Sequence, residues 1–202
     1  GVSPAVSDSF VIMAQLSSAS ISLSTQPSNT VAGVAIDPAP VALVQDQYLN
    51  PVTNYLITAT LNGGDFAPAA TVTSTTGADG SASFGNLVIN AAKSGYTIDF
   101  SFAEESSYGT TSVTSDAFDV THAALDKFVF GPLGKQTAGV DFNLAITAQD
   151  EFGNTATAFD GTANLTINKN TFASGGGTTG NFVDGVLASH AVSIDAAATG
   201  YQ

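Results

Sequence analysis

The chain has 202 residues, of which 10% are charged: seventeen Asp and Glu against four Lys and no Arg, for a net charge of −13. That balance repels phosphate backbones and anionic lipid headgroups and lacks the guanidinium fork that grips phosphate, which excludes nucleic acid as a partner. The absence of cysteine rules out disulfides and thiolate metal sites, and the longest apolar runs, such as 10–14, fall far short of the ~20 residues of a membrane-spanning helix.

Thr, Val, Ile and Phe recur in short runs between Gly, Asn, Asp and Pro clusters, which predicts many strands and no sustained helix. The first run is Ser7-Asp8-Ser9-Phe10-Val11-Ile12. The strand before Asp46 is apolar on both faces, so Val41 and Leu43, opposite Ala42 and Val44, are a candidate lateral contact between repeats or filaments. Further on, Ile57, Ala59 and Leu61 alternate with Thr58 and Thr60, the period of a strand half buried in a sandwich, and Ala163, Leu165 and Ile167 predict the same in the second half.

Internal repetition organises these runs. Gln45-Asp46-Gln47-Tyr48-Leu49-Asn50 matches Gln149-Asp150-Glu151-Phe152-Gly153-Asn154 at a separation of 104. Asp79-Gly80 matches Asp184-Gly185, Leu87-Val88-Ile89 matches Val192-Ser193-Ile194, and Gly95-Tyr96 matches Gly200-Tyr201, each at 105. The opening run matches Ser115-Asp116-Ala117-Phe118-Asp119-Val120 at 108. Residues 1–18 are therefore expected to be the closing strand of a preceding repeat or a donor strand, residues 19–122 one complete repeat, and residues 123–202 a repeat that stops early. About seven strands per repeat with closely spaced turn signals predicts a two-sheet Greek-key sandwich.

The residues Thr25-Gln26-Pro27, Thr30-Val31-Ala32-Gly33 and Val44-Gln45-Asp46 through Asn50, with Gln136-Thr137-Ala138-Gly139 and Asp150 through Asn154 in the second copy, carry a resemblance. The chain resembles the bacterial immunoglobulin-like repeats found in tandem in adhesins, invasin-type proteins and surface-layer proteins. The fold class is then all-β: two tandem immunoglobulin-like Greek-key β-sandwiches, the second lacking its last strands. The resemblance implies a spacer, adhesive or lattice-forming role at the cell surface, outside the cell, and no enzymology. Leu49 departs from the Gly of the pattern and implies a different turn there; Gly131-Pro132-Leu133 replaces the Gln-Pro opening.

Asp46, Asn50, Asp150 and Asn154 read as turn residues that cap their own backbone, with Gly153 supplying a positive φ. The competing reading is structural calcium, with Asp141, Asp150, Glu151 and Asp160 supplying oxygens at one pole of a domain; no other cofactor is implied. His122 and His190 have no Ser or carboxylate at motif spacing, and Gly175-Gly176-Gly177, with no Lys-Ser/Thr behind it, reads as a hairpin tip, so no catalytic site is expected. Asn164-Leu165-Thr166 is a formal glycosylation sequon.

The second repeat stops where the first continues through 97–120. Losing about five inward apolar side chains, at roughly 1.5–3 kcal/mol each, would remove on the order of 10 kcal/mol, comparable to a domain's whole stability. Either the natural chain continues past 202, or another copy's Ser7, Asp8, Phe10 and Ile12 complete the sandwich by strand addition. The leading expectation is a self-associating building block of an extracellular filament, sheath, surface layer or adhesin stalk. The alternative is a surface module that binds carbohydrate, for which Tyr48, Tyr55 and Tyr108 are the stacking candidates.

Overall fold

The computed structural model describes residues 7–15, 18–102 and 111–202. The fold is all-β: fourteen strands run through the described residues, none of which forms an α-helix, and no helix is long and apolar enough to cross a membrane. The chain divides into two compact units. The first takes in the described residues up to Thr30, then Val34–Ile89 and Ser94–Asp119; the second takes in Val31–Gly33, Asn90–Lys93 and Val120–Gln202.

The first unit is built on β1 (Ser20–Thr25), β2 (Thr30–Val31), β3 (Val41–Gln45), β4 (Leu56–Asn62), β5 (Thr73–Thr75), β6 (Ser81–Ser83), β7 (Lys93–Phe102), β8 (Ser112–Thr114) and β9 (Phe118–Thr121), which form two sheets, although Val31, Lys93, Val120 and Thr121 at the ends of β2, β7 and β9 are counted with the second unit. One has the order β1-β3-β6 and the other β2-β9-β7-β4-β5, with β8 also on β7. Sequence periodicity becomes packing on β4, where Ile57, Ala59 and Leu61 are buried and Leu56, Thr60 and Asn62 are exposed. β7 buries Tyr96, Ile98, Phe100 and Phe102 in the same alternation. The two sheets meet through rings: Phe84, just after β6, stands edge-on to Phe100 at 5.0 Å. β8 and β9 are one path broken at Ser115, whose Oγ accepts the Ile98 N–H at 2.9 Å and whose own N–H returns to the Ile98 carbonyl at 2.9 Å. Past the break, Phe118 and Val120 turn into the core, and the Phe118 ring lies 6.1 Å from that of Tyr96.

The second unit has β10 (Lys127–Phe130), β11 (Phe142–Gln149), β12 (Asn164–Leu165), β13 (Gly177–Thr178) and β14 (Val186–Val192). The sheet β10-β11-β14 corresponds strand for strand to β1-β3-β6, while β12 and β13 form a separate two-stranded sheet. Leu144, Ile146, Ala148, Leu165, Phe182, Leu187 and Val192 make its core, and three rings, Phe128, Phe159 and Phe182, stack at 5.1 to 5.3 Å beside it. Among the described residues this unit has no counterpart of β2, β7, β8 and β9.

The expected strand at 163–167 shrinks to the two residues of β12, although Leu165 does point inward. Val41 and Leu43 are half-buried on β3, the middle strand of its sheet. Ser7 through Ile12 carry no strand pairing and are exposed, Phe10 by 75% and Ile12 by 84%. Tyr108 lies outside the described residues.

Candidate functional site

The feature that recurs in both units is a buried carboxylate at the end of the middle strand of a three-stranded sheet. Asp46 ends the strand path after β3 and Asp150 ends it after β11. Asp46 Oδ1 accepts the backbone N–H groups of Tyr48 at 2.8 Å and Asn50 at 2.9 Å, and Oδ2 accepts the Asn50 side-chain amide at 3.0 Å. A fourth donor comes from far back in the chain: the Gln15 N–H reaches Oδ2 at 2.9 Å. Asp150 repeats the set, with Phe152 N–H at 3.0 Å and Asn154 N–H at 2.8 Å on Oδ1, and the Asn154 amide at 2.8 Å and Ala123 N–H at 2.9 Å on Oδ2.

This clasp ties the segment entering each unit to that unit's own turn. In the first unit the Gln47 side chain also donates to Gln15 Oε1 at 2.9 Å. In the second, the Asp126 N–H donates to the Gln149 carbonyl at 2.8 Å, and the Ala158 N–H donates to His122 Nε2 at 3.2 Å. Because Nε2 accepts there, the His122 proton sits on Nδ1 and donates to the Ala123 carbonyl at 2.6 Å.

The turn itself needs a left-handed residue before the Asn. Gly153 has φ 89° and Leu49 has φ 66°, so the expectation of a different turn at Leu49 is corrected: the same turn forms, and Leu49 is forced into it by the four donors that close around Asp46. Behind the clasp, the Val44 N–H donates to the Gly80 carbonyl at 2.9 Å and the Ala148 N–H to the Gly185 carbonyl at 2.8 Å. A Cβ on Gly80 would lie 2.5 Å from the Val44 oxygen and one on Gly185 2.5 Å from the Ala156 oxygen, which is why glycine follows aspartate in both copies.

The clasp carboxylates are held ionised by neutral donors. The Asn50 amide, and next the Gln15 N–H, keep the Asp46 carboxyl at about 2 against an ordinary 3.8, with burial opposing. At Asp150 burial is the largest influence and pushes upward; the Asn154 amide, the Ala123 N–H and the two turn N–H groups outweigh it and hold the carboxyl below its ordinary value. An ionised carboxylate has about four lone-pair sites. At Asp150 four N–H donors occupy them.

Accordingly the four calcium candidates do not assemble. Asp160 Oδ1 accepts the Asp184 N–H at 3.0 Å, the Ser174 hydroxyl approaches Asp141 at 3.4 Å, and Glu151 is exposed. Among the described residues no three His, Cys, Asp or Glu side chains converge to hold a metal ion. His190 Nε2 meets the Gly175 carbonyl at 2.8 Å, which ties the glycine run to β14. Of the tyrosines, Tyr48 is exposed beside the clasp and Tyr55 is half-buried with its ring edge-on to Phe102 at 6.1 Å.

Sequence reasoning placed Asp46, Asn50, Asp150 and Asn154 at turns but missed Gln15 and Ala123. The signal was present: Gln15 follows Phe10 by five residues, as Ala123 follows Phe118, so the match at 108 extends to the anchors themselves.

No family model and no curated protein matches this chain. Among solved structures, 88% of the chain aligns with Parabacteroides merdae beta-glucuronidase at 10% identity and a TM-score of 0.28. A second structure of that enzyme, with glycerol in the active site, aligns over the same 88% at 12% identity and a TM-score of 0.27. The chain spans 22% of the length of that enzyme, and a likeness of this size carries no argument about fold or activity.

Proposed function

We propose that the chain is a structural building block of an extracellular filament, sheath, surface layer or adhesin stalk, built from tandem immunoglobulin-like Greek-key β-sandwiches and without turnover chemistry. The observation that carries this reading is the duplicated clasp. A tandem array bears tension at the points where the chain enters each unit, and a slack entry would let units swivel or peel strand by strand. Here each entry is fastened by one backbone N–H, that of Gln15 or of Ala123, to a buried carboxylate inside the unit it enters, whose other three donors come from that unit's own turn. The strand orders β1-β3-β6 and β2-β9-β7-β4-β5 support the Greek-key reading of the first unit.

The surface composition points the same way. With 10% charged residues and four lysines, the exterior is built from Thr, Ser, Asn and Gln, a surface suited to close lateral contact between copies, where few charges must be stripped of water. Antibodies raised against the chain, applied to intact cells of the source organism, test the reading: labelling on the cell exterior that external protease removes is expected, and labelling confined to permeabilised cells would sink it.

A further inference from the structure

The second unit is not a single run of chain. Besides Val120–Gln202 it takes in Val31–Gly33 and Asn90–Lys93, segments of three and four residues that lie between stretches of the first unit. Asn154 holds the later segment. Its side-chain amide donates one proton to the Asn90 carbonyl at 2.7 Å and the other to Asp150 Oδ2 at 2.8 Å, and its Oδ1 accepts the Ala92 N–H at 2.8 Å. The amide can face only this way, because a flip would set its oxygen against a carbonyl and a carboxylate. Phe152 holds the earlier segment: the tip of its ring lies on Gly33, so close that a Cβ there would stand 2.4 Å from Phe152 Cζ.

Neither segment can keep its shape alone. Val31–Gly33 runs from β2 towards Ile36, which is buried and whose N–H donates to the Leu87 carbonyl at 2.9 Å. Asn90–Lys93 runs from the buried Ile89 into β7, where Tyr96 is buried. Both segments are thus set in place by first-unit residues on either side. With those ends released, fixing the two runs would cost more chain entropy than a few hydrogen bonds return. The loan is not mutual: among the described residues the two sheets of the first unit reach no further along the chain than Thr121, at the end of β9.

We infer that the second unit holds its fold only while the first is folded, whereas the first holds without the second: Val31–Gly33 and Asn90–Lys93 are a template that the folded first unit presents and that Phe152 and Asn154 fasten into the second. Whatever opens the first unit then opens both, and whatever opens the second stops there. This one-way order of loss concerns the chain itself and not where it works, so it stands apart from the role in a surface array.

Amide hydrogen exchange on the 202-residue chain tests this with a carboxylate placed in one core at a time. Phe100 in the first unit is 0% exposed and Ile146 in the second 2%, so an Asp at either position should unfold the unit around it. In Phe100→Asp the amides of β11 and β14 should exchange as freely as those of β4 and β7. In Ile146→Asp, β11 and β14 should lose protection while β4 and β7 keep the parent's rates. Ile98→Asp, in the same core as Phe100, repeats the first arm if Phe100→Asp leaves β4 and β7 protected. A third variant, Ala92→Pro, removes the N–H that Asn154 accepts and leaves all four donors on Asp150. There the β11 amides should exchange roughly tenfold faster, with β4 unmoved. Protection of β11 and β14 that outlasts the first unit, loss of β4 and β7 in Ile146→Asp, unchanged β11 rates in Ala92→Pro, or a parent whose β11 amides are unprotected would overturn the inference.

Discussion

At φ 66° the backbone of Leu49 lies in the left-handed region, where an L side chain crowds the carbonyl that follows and costs roughly 1–2 kcal/mol. Its side chain is 72% exposed, so little packing offsets that cost. Leu49→Gly should stabilise the first unit by about 1 kcal/mol once glycine's greater chain entropy is deducted, visible as a higher midpoint in urea; an unchanged or lower midpoint would contradict the turn geometry. The clasp carboxylate beside it sets a pH window. The Asp46 carboxyl is at about 2 in the fold and 3.8 ordinarily, so its ionised form stabilises the fold above pH 3.8, and that contribution is lost as pH falls from 3.8 through 2. Asp150, also depressed, adds loss in the same direction. Melting temperature followed from pH 5 downward should decline through this window in the parent, and less steeply in Asp46→Asn.

The alternation on β4 and β7, the turns and the all-β class were legible in sequence because each is a local signal, set by residues two to six apart. The clasp was legible by half. Asx chemistry announces a turn, but the Gln15 donor stands 31 residues from Asp46 and gives through its backbone, which has no letter of its own. β12 was over-read for a related reason. Ala163, Leu165 and Ile167 keep the strand period, yet pairing with β13 holds only Asn164 and Leu165, because β13 offers two residues of partner. The Asp-Gly pairs at 79–80 and 184–185 stand out in the sequence as a match at 105, and the structure adds why the glycine is needed: a Cβ there would run into the backbone of β3 in one copy and of the segment after the clasp in the other. Gly80→Ala and Gly185→Ala combine a positive φ with a Cβ 2.5 Å from a carbonyl oxygen, and each should destabilise its unit by about 2–4 kcal/mol. A loss below about 1 kcal/mol in chemical denaturation would show that the backbone yields there.

Across the whole molecule the charge is uneven: the first unit carries ten acids and no lysine and the second seven acids and all four lysines, so the net −13 divides into −10 and −3. Like charges at that density repel one another within a unit, and salt shortens their reach to about 8 Å at physiological strength. Raising NaCl from about 0.02 to 0.15 M, across which the screening length shrinks more than twofold, should lift the calorimetric midpoint of the first unit by a few degrees and that of the second by less; equal shifts would mean that local pairs and not net charge govern. The entry into each unit carries a consequence of a different kind. What Asp46 and Asp150 hold is an amide proton, which every residue but proline presents alike. Glutamine serves at 15 and alanine at 123, and the grip is indifferent to the exchange, so the composition of the entering segment can drift while the contact stays where it is, with a single letter of the alphabet forbidden.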